Sequence, residues 1–225
     1  MPMIRRTYAP AALRTALIAL AACLLLGVAP ARAQSPKAEG EVPVAALMAA
    51  GAIEERALGK ADAPVTVVEY ASLSCPHCAR FHADTLPALK RDFIDTGKVR
   101  FVFRDFPFDG VALAGAMIAR CTDGVRYFEL LDVLFKEQQE WAFSGEPEKA
   151  LRAIASRYGF TQESFDSCLQ NQTLYDGVLA GRQRAHDAFN VRSTPTIFVN
   201  GARYSGALSP ADLAEAIANA PAQPK

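Results

Sequence analysis

The sequence predicts an α/β fold in which a strand-helix-strand unit and a later β-hairpin with its helix are separated by an all-helical insert. Three observations carry this. Residues 65–70, Val-Thr-Val-Val-Glu-Tyr, are few and rich in β-branched side chains, as in a buried strand; helical spacing follows to about Thr96, and residues 99–104 repeat the strand pattern. From about Phe106 to Phe189 the apolar spacing is helical alone. Beyond it, Asn200-Gly201 divides two short strand-like runs, the signal of a two-residue hairpin.

Each element has a local reason. Residues 34–41 are polar and mixed and read as a tether, followed by a short amphipathic stretch over 44–56 and a connector over 59–63 that ends at Pro64. The first α/β half is assigned to 57–105. In it, Pro76 suits a first helical turn, Phe81, Leu86, Leu89 and Phe93 share a face, Pro87 predicts a kink, and Gly97 closes the helix. The helical insert is assigned to 106–189, with candidate helices at 111–122, 126–141, 147–158, 162–171 and 174–189. The second half, 190–221, holds a strand at 196–199, its partner at 202–204 and a last helix opened by Ser209-Pro210.

The chain has 225 residues, 51% hydrophobic and 21% charged, with 24 basic and 24 acidic side chains. That composition excludes a disordered tail, a collagen-like repeat and a nucleic-acid binder working through bulk positive charge. The first 33 residues hold Arg5, Arg6, Arg14 and Arg32 and no acid, an apolar run over 16–28, then Pro30 and Ala31-Arg32-Ala33. This predicts a secretory signal peptide cut after Ala33, since an apolar run of about 13 residues is short of the ~20 that span a bilayer. Leu20-Ala21-Ala22-Cys23 is the alternative address, a lipoprotein box that would leave Cys23 lipidated. Removal of the signal leaves 20 basic and 24 acidic residues, a formal charge of −4.

The remaining cysteines are Cys75, Cys78, Cys121 and Cys168, an even number in a chain bound for an oxidising compartment. Cys75 and Cys78 form one C-x-x-C unit, which by elimination pairs Cys121 with Cys168; the alternative is two buried free thiols. A bridge closing a loop of about 48 residues contributes about 4 kcal/mol in the chain-entropy model.

A C-x-x-C at a strand-to-helix junction places its first sulfur at a helix N-terminus, where unpaired N–H groups and the helix dipole favour negative charge. Cys75 is therefore expected to be an acidic thiol and a good leaving group, with His77 placed to donate a hydrogen bond or positive charge to it. Cys78, one turn on, is the expected resolving thiol. Two competing readings are zinc held by Cys75, Cys78 and His82, which lacks a fourth ligand, and a merely structural bridge. No metal and no cofactor are expected.

Val67-Val68-Glu69-Tyr70-Ala71-Ser72-Leu73-Ser74-Cys75-Pro76-His77-Cys78, the helical insert, and Ser193-Thr194-Pro195-Thr196-Ile197-Phe198-Val199-Asn200-Gly201 resemble the DsbA family of bacterial periplasmic thiol-disulfide oxidoreductases. The resemblance runs from about Leu58 to Ala220. It implies a thioredoxin-like fold interrupted by the helical domain, Pro76 and His77 as the dipeptide typical of oxidising members, and a cis peptide before Pro195 beside the sulfurs. It also implies that the Thr194 backbone bonds an extended substrate, and that Glu69 is a buried acid exchanging the proton of Cys78. The plainer reading of Glu69 is an edge-strand residue facing water. His82 and His186 carry no such implication and are read as surface or helix-face residues.

The function expected is a periplasmic oxidase that introduces disulfides into unfolded or reduced secreted proteins, reoxidised by a membrane partner of the DsbB type, monomeric, with no nucleic acid involved. Thr194 is also met in isomerases and reductases of the superfamily, so these remain the alternative enzyme reading. A chaperone-like binding protein with an inert C-x-x-C is the alternative outside enzymology.

Overall fold

The computed structural model describes Met3 and residues 36–221. The expected signal peptide, its cut after Ala33 and Cys23 lie outside the described residues. Among those described, six strands form one sheet: β1 (Gly40–Glu41), β2 (Arg56–Leu58), β3 (Val65–Ala71), β4 (Val99–Asp105), β5 (Thr196–Val199) and β6 (Ala202–Ser205), in the order β1-β6-β5-β3-β4-β2. β3 and β4 are parallel, with Val65 opposite Val99 and Ala71 opposite Asp105, and the other neighbours are antiparallel. A strand flanked on both sides and covered on both faces needs apolar side chains in both orientations, which is why β3 reads as a continuous apolar run.

The helix after β3 begins where Pro76, which has no N–H to leave unpaired, follows the extended Cys75. This helix, α2, covers residues 76–94 beyond a short α1 (Val44–Leu47) and is continuous through Pro76–Arg80, Phe81–Thr85, Leu86–Leu89 and Lys90–Ile94. A wider π-helical turn over Phe81–Thr85 lies just ahead of Pro87, which cannot donate its N–H.

Between β4 and β5 lie α3 (Gly110–Arg120), α4 (Gly124–Lys136), α5 (Gln138–Trp141), α6 (Pro147–Ser156), α7 (Gln162–Leu169) and α8 (Gln172–Phe189), and α9 (Pro210–Ala218) follows β6. Asp109, Asp123, Thr161, Asn171 and Ser209 each accept a backbone N–H at a helix start. The helix expected over 126–141 is two helices, because Glu137 leaves the helical conformation at φ −97° and ψ 19°. The segment read as a tether is partly ordered: β1 pairs with β6, and the Val42 N–H donates to Gly201 O. β2 likewise joins β4, starting at Arg56, the last residue of the stretch read as amphipathic.

Two cores result. On one face of the sheet, Val67, Ala71, Phe101 and Phe103 pack with side chains of α2 and most of the helical insert. On the other, Val68, Tyr70, Val102 and Phe198 meet Leu47, Phe189 and Val191. The α3 backbone approaches Trp141 so closely that a Cβ on Gly115 would lie 2.7 Å from the indole, so only glycine fits there. Asn200 and Gly201 both have positive φ, 45° and 91°, in the hairpin turn between β5 and β6. Cys121, at the end of α3, is joined to Cys168 of α7 as a disulfide with Cα atoms 6.2 Å apart. No helix among the described residues is long and apolar enough to cross a membrane.

Candidate active site

Among the described residues the other two cysteines, Cys75 and Cys78, are free thiols at the start of α2. Cys75 caps the helix in an extended conformation, and its carbonyl accepts the N–H groups of Cys78 and Ala79, both at 3.1 Å. The geometry separates the sulfurs: Cys75 is 8% exposed and Cys78 wholly buried.

Their acidities diverge. The Cys75 thiol is brought down to about 5, chiefly by the hydrogen bond from Cys78, with burial opposing and the Thr194 side chain and the backbone N–H groups of Cys78 and His77 assisting. The thiol also donates to the Thr194 carbonyl at 3.3 Å, a contact that favours the protonated form. The depression therefore has its source in the donors, not in that carbonyl. Cys78 is pushed upward by burial first, then by its hydrogen bond to Cys75 and the Glu69 charge.

Three elements besides α2 hold this pair in place. Thr194 and the cis peptide to Pro195 lead into β5 and bring the Thr194 carbonyl against Cys75. Gln138 of α5 is buried, and its Nε2 donates to the carbonyls of Leu73 at 2.8 Å and Cys75 at 3.1 Å, clamping the loop from inside. Ser74 Oγ donates to Asp109 Oδ2 at 2.6 Å, which ties the same loop to the start of α3. Gln138 and Asp109 carried no sequence signal as site residues, since an amide inside a helix and an N-cap aspartate have ordinary structural uses.

Pro76 and His77 are exposed, and the His77 ring lies against Arg80, whose Nη2 is 3.1 Å from Nδ1. Because a guanidinium only donates, Nδ1 accepts there, and it is the His77 backbone N–H that reaches toward Cys75. Glu69 is not an edge-strand residue: β3 is central, its side chain is 0% exposed, and the alternation of the strand puts it on the face of Val67 and Ala71, toward α2.

His82 overturns the surface reading. Its side chain is 3% exposed, and Nε2 lies 3.0 Å from Glu69 Oε2. That contact turns the ring to Glu69, so the set Cys75, Cys78 and His82 considered for zinc is not assembled around one point, and no metal-holding cluster occurs among the described residues. The readable clue was spacing, because His82 follows Cys78 by one turn and so shares its inward helix face. His186, by contrast, is exposed on α8 beside Asp187. A cavity of about 600 Å³ lined by Met48, Tyr70, Arg104 and Arg184 contains neither cysteine.

Residues 52–219 match the family model described as thioredoxin. The chain is 34% identical over 145 residues to a putative protein-disulfide oxidoreductase of Rickettsia bellii, covering 64% of this chain and 56% of the relative, so it spans little more than half of that protein. It is 34% identical over 153 residues to disulfide bond formation protein D of Bacillus subtilis, covering 64% of this chain and 66% of the relative. Among solved structures, alpha-DsbA1 of Wolbachia pipientis superposes with a TM-score of 0.70 at 27% identity, covering 74% of this chain and 90% of that one. BdbD of Bacillus subtilis does so at 0.67 and 25% identity, covering 82% and 97%.

Proposed function

The chain belongs to the thioredoxin family, in its DsbA-like branch, and from that premise we propose that it introduces disulfides into secreted proteins by dithiol-disulfide exchange at Cys75 and Cys78. The observation that carries this reading is the opposite displacement of the two thiols, one brought down to about 5 and the other pushed up by burial. A thiol held as thiolate is a good leaving group, and stabilising it favours the reduced enzyme, which makes its disulfide an oxidant.

In this reading the Cys75–Cys78 disulfide is attacked at Cys75 Sγ by a substrate thiolate. The S–S bond breaks, its electron pair leaves on Cys78, which takes a proton, and a mixed disulfide joins substrate to Cys75. A second substrate thiolate attacks the substrate sulfur of that bond and expels Cys75 as a thiolate. The substrate dithiol has lost two electrons and two protons, and the enzyme holds both electrons. One proton resides on Cys78 and the other passes to solvent, because Cys75 stays ionised near neutrality.

Pro76 and His77 open the helix whose N–H groups steady the Cys75 thiolate, Glu69 exchanges the Cys78 proton, and Thr194 with Pro195 offers backbone to an extended substrate. Phe108, half exposed and next to Asp109 by the Cys75 loop, provides apolar surface for unfolded chains. The Cys121–Cys168 bridge is structural. Export to the periplasm and a quinone-linked membrane partner of the DsbB type complete the cycle in this proposal.

The test is equilibration of the Cys75–Cys78 pair in graded mixtures of reduced and oxidised glutathione, read by mass spectrometry of alkylated peptides. A pair that stays reduced even in mixtures rich in oxidised glutathione is the expected result. A pair that stays oxidised until the buffer is strongly reducing would overturn the oxidase reading.

A further inference from the structure

His82 is buried in an aromatic box: Phe135 stacks on it with ring centroids 4.0 Å apart, and Phe103 and Phe81 meet it edge-on at 5.7 and 6.0 Å. Such surroundings favour a neutral ring, yet both nitrogens face acids. Nε2 is 3.0 Å from Glu69 Oε2, and Nδ1 is 3.6 Å from Asp132 Oδ1 on α4, an ion-pair distance. The three residues form a line across the molecule's depth. Glu69 is 0% exposed, His82 3% and Asp132 63%. At the inner end, Glu69 Oε1 is buried and without a hydrogen-bond partner, and the Glu69 charge is felt by Cys78.

We propose that His82 is a positioning residue that carries protons between Glu69 and the solvent at Asp132, and so supplies the proton that Cys78 needs when it leaves the disulfide. The inference rests on the exchange reaction proposed above. When a substrate thiolate attacks Cys75, the Cys75–Cys78 bond breaks and its electron pair goes to Cys78. Glu69 then takes the Nε2 proton of His82 and passes a proton on to the Cys78 sulfur, ending as the carboxylate it was before. The imidazole, left neutral with its proton on Nδ1, recovers the second proton by turning its bare nitrogen to the solvent at the Asp132 rim and back. Reoxidation runs the same line outward.

Burial pulls the imidazolium down, but Glu69 and Asp132 outweigh it and push it up to about 9, so the ring is charged at neutral pH. The remaining charged and titratable groups at this site come from α4, β2, β4 and α3. The Tyr127 hydroxyl senses Glu69, Arg56 and Arg120 lie over the Tyr127 ring at 5.2 and 5.8 Å, and Asp105 pairs with Arg120.

The test measures the rate at which dithiothreitol reduces the oxidised enzyme between pH 5 and 10, for wild type, His82→Gln and Asp132→Asn. Ultraviolet titration of the Cys75 thiolate runs beside it. His82→Gln keeps a donor for Glu69 but cannot change its proton, so the rate at neutral pH should drop roughly 10- to 100-fold. The limb near pH 9, read after dividing out the titration of the dithiothreitol thiols themselves, should vanish while the Cys75 titration near 5 remains. Asp132→Asn, an exposed change that spares the core, should move that limb to lower pH. A His82→Gln profile superimposable on wild type overturns the proposal. If His82→Gln does not fold, an unmoved limb in Asp132→Asn overturns it alone. Failure of the exchange reading shows differently, as a wild-type pair that is not oxidising in the glutathione equilibration.

Discussion

The Thr194 carbonyl oxygen lies 3.3 Å from Cys75 Sγ, although 119 residues separate the two in the chain. The contact joins the two halves of the α/β fold across the helical insert, so the reactive sulfur belongs to both. Asn200 makes a second such join, because its Oδ1 accepts the Thr66 N–H at 2.7 Å and its own N–H reaches Thr66 O at 2.9 Å.

Thr194→Val keeps the shape of the side chain and removes one of the groups that hold the Cys75 thiol low. The Cys75 titration should move up by about one pH unit, equivalent to ~1.4 kcal/mol of lost thiolate stabilisation. Absorbance of the thiolate against pH reads the shift, and an unmoved titration would remove Thr194 from the account of this acidity.

The stability of the reduced form should depend on pH through Cys75. Its folded value, about 5, lies below the ordinary 9.0, so the thiolate adds stability that is full above pH 9 and is lost as pH falls through 5. His82, pushed up to about 9 from 6.5, has the opposite sign: its stability is full below 6.5 and lost as pH rises through 9. Comparing reduced with oxidised protein isolates the cysteine. The advantage of the reduced form at pH 8 should shrink to about a tenth at pH 5, measured by denaturant unfolding of both forms.

Gln138→Ala strips two buried carbonyls, those of Leu73 and Cys75, of their side-chain donor. A loss of about 1–3 kcal/mol is expected in denaturant unfolding. The Cys75 loop should also become more reactive toward alkylating reagents, and an unchanged midpoint with unchanged alkylation would show that the clamp is dispensable.

Replacing both Cys121 and Cys168 by Ala removes a link between positions 47 apart that ties α3 to α7. A drop of about 2–4 kcal/mol in stability is expected. Exchange at Cys75 and Cys78 should persist, because neither bridged sulfur lies in that site; loss of exchange in a folded variant would give the bridge a role in the reaction.

Much of this was local and therefore legible. The β-branched run at β3, the Asn-Gly turn, and Cys75 ahead of Pro76 each rest on interactions within a few residues, which leave a pattern in the chain. The short edge strands β1 and β2 were not legible: at 2 and 3 residues they show no alternation and exist because β6 and β4 offer unpaired edges. The break at Glu137 is illegible for a similar reason, since the apolar spacing runs on through it.

His82 marks the boundary most plainly. By itself the sequence determined that a C-x-x-C begins a helix in an α/β frame split by helices, because strand composition, helix starts and turn residues are decided by near neighbours. Whether a histidine on that helix faces water or core was decided only by tertiary structure. Burial of its ring is tolerable because Glu69, 13 residues away on β3, and Asp132, on α4, converge on its two nitrogens. Compensation of that kind depends on which distant elements meet, and charges brought together by the fold leave no periodic trace in the chain that carries them.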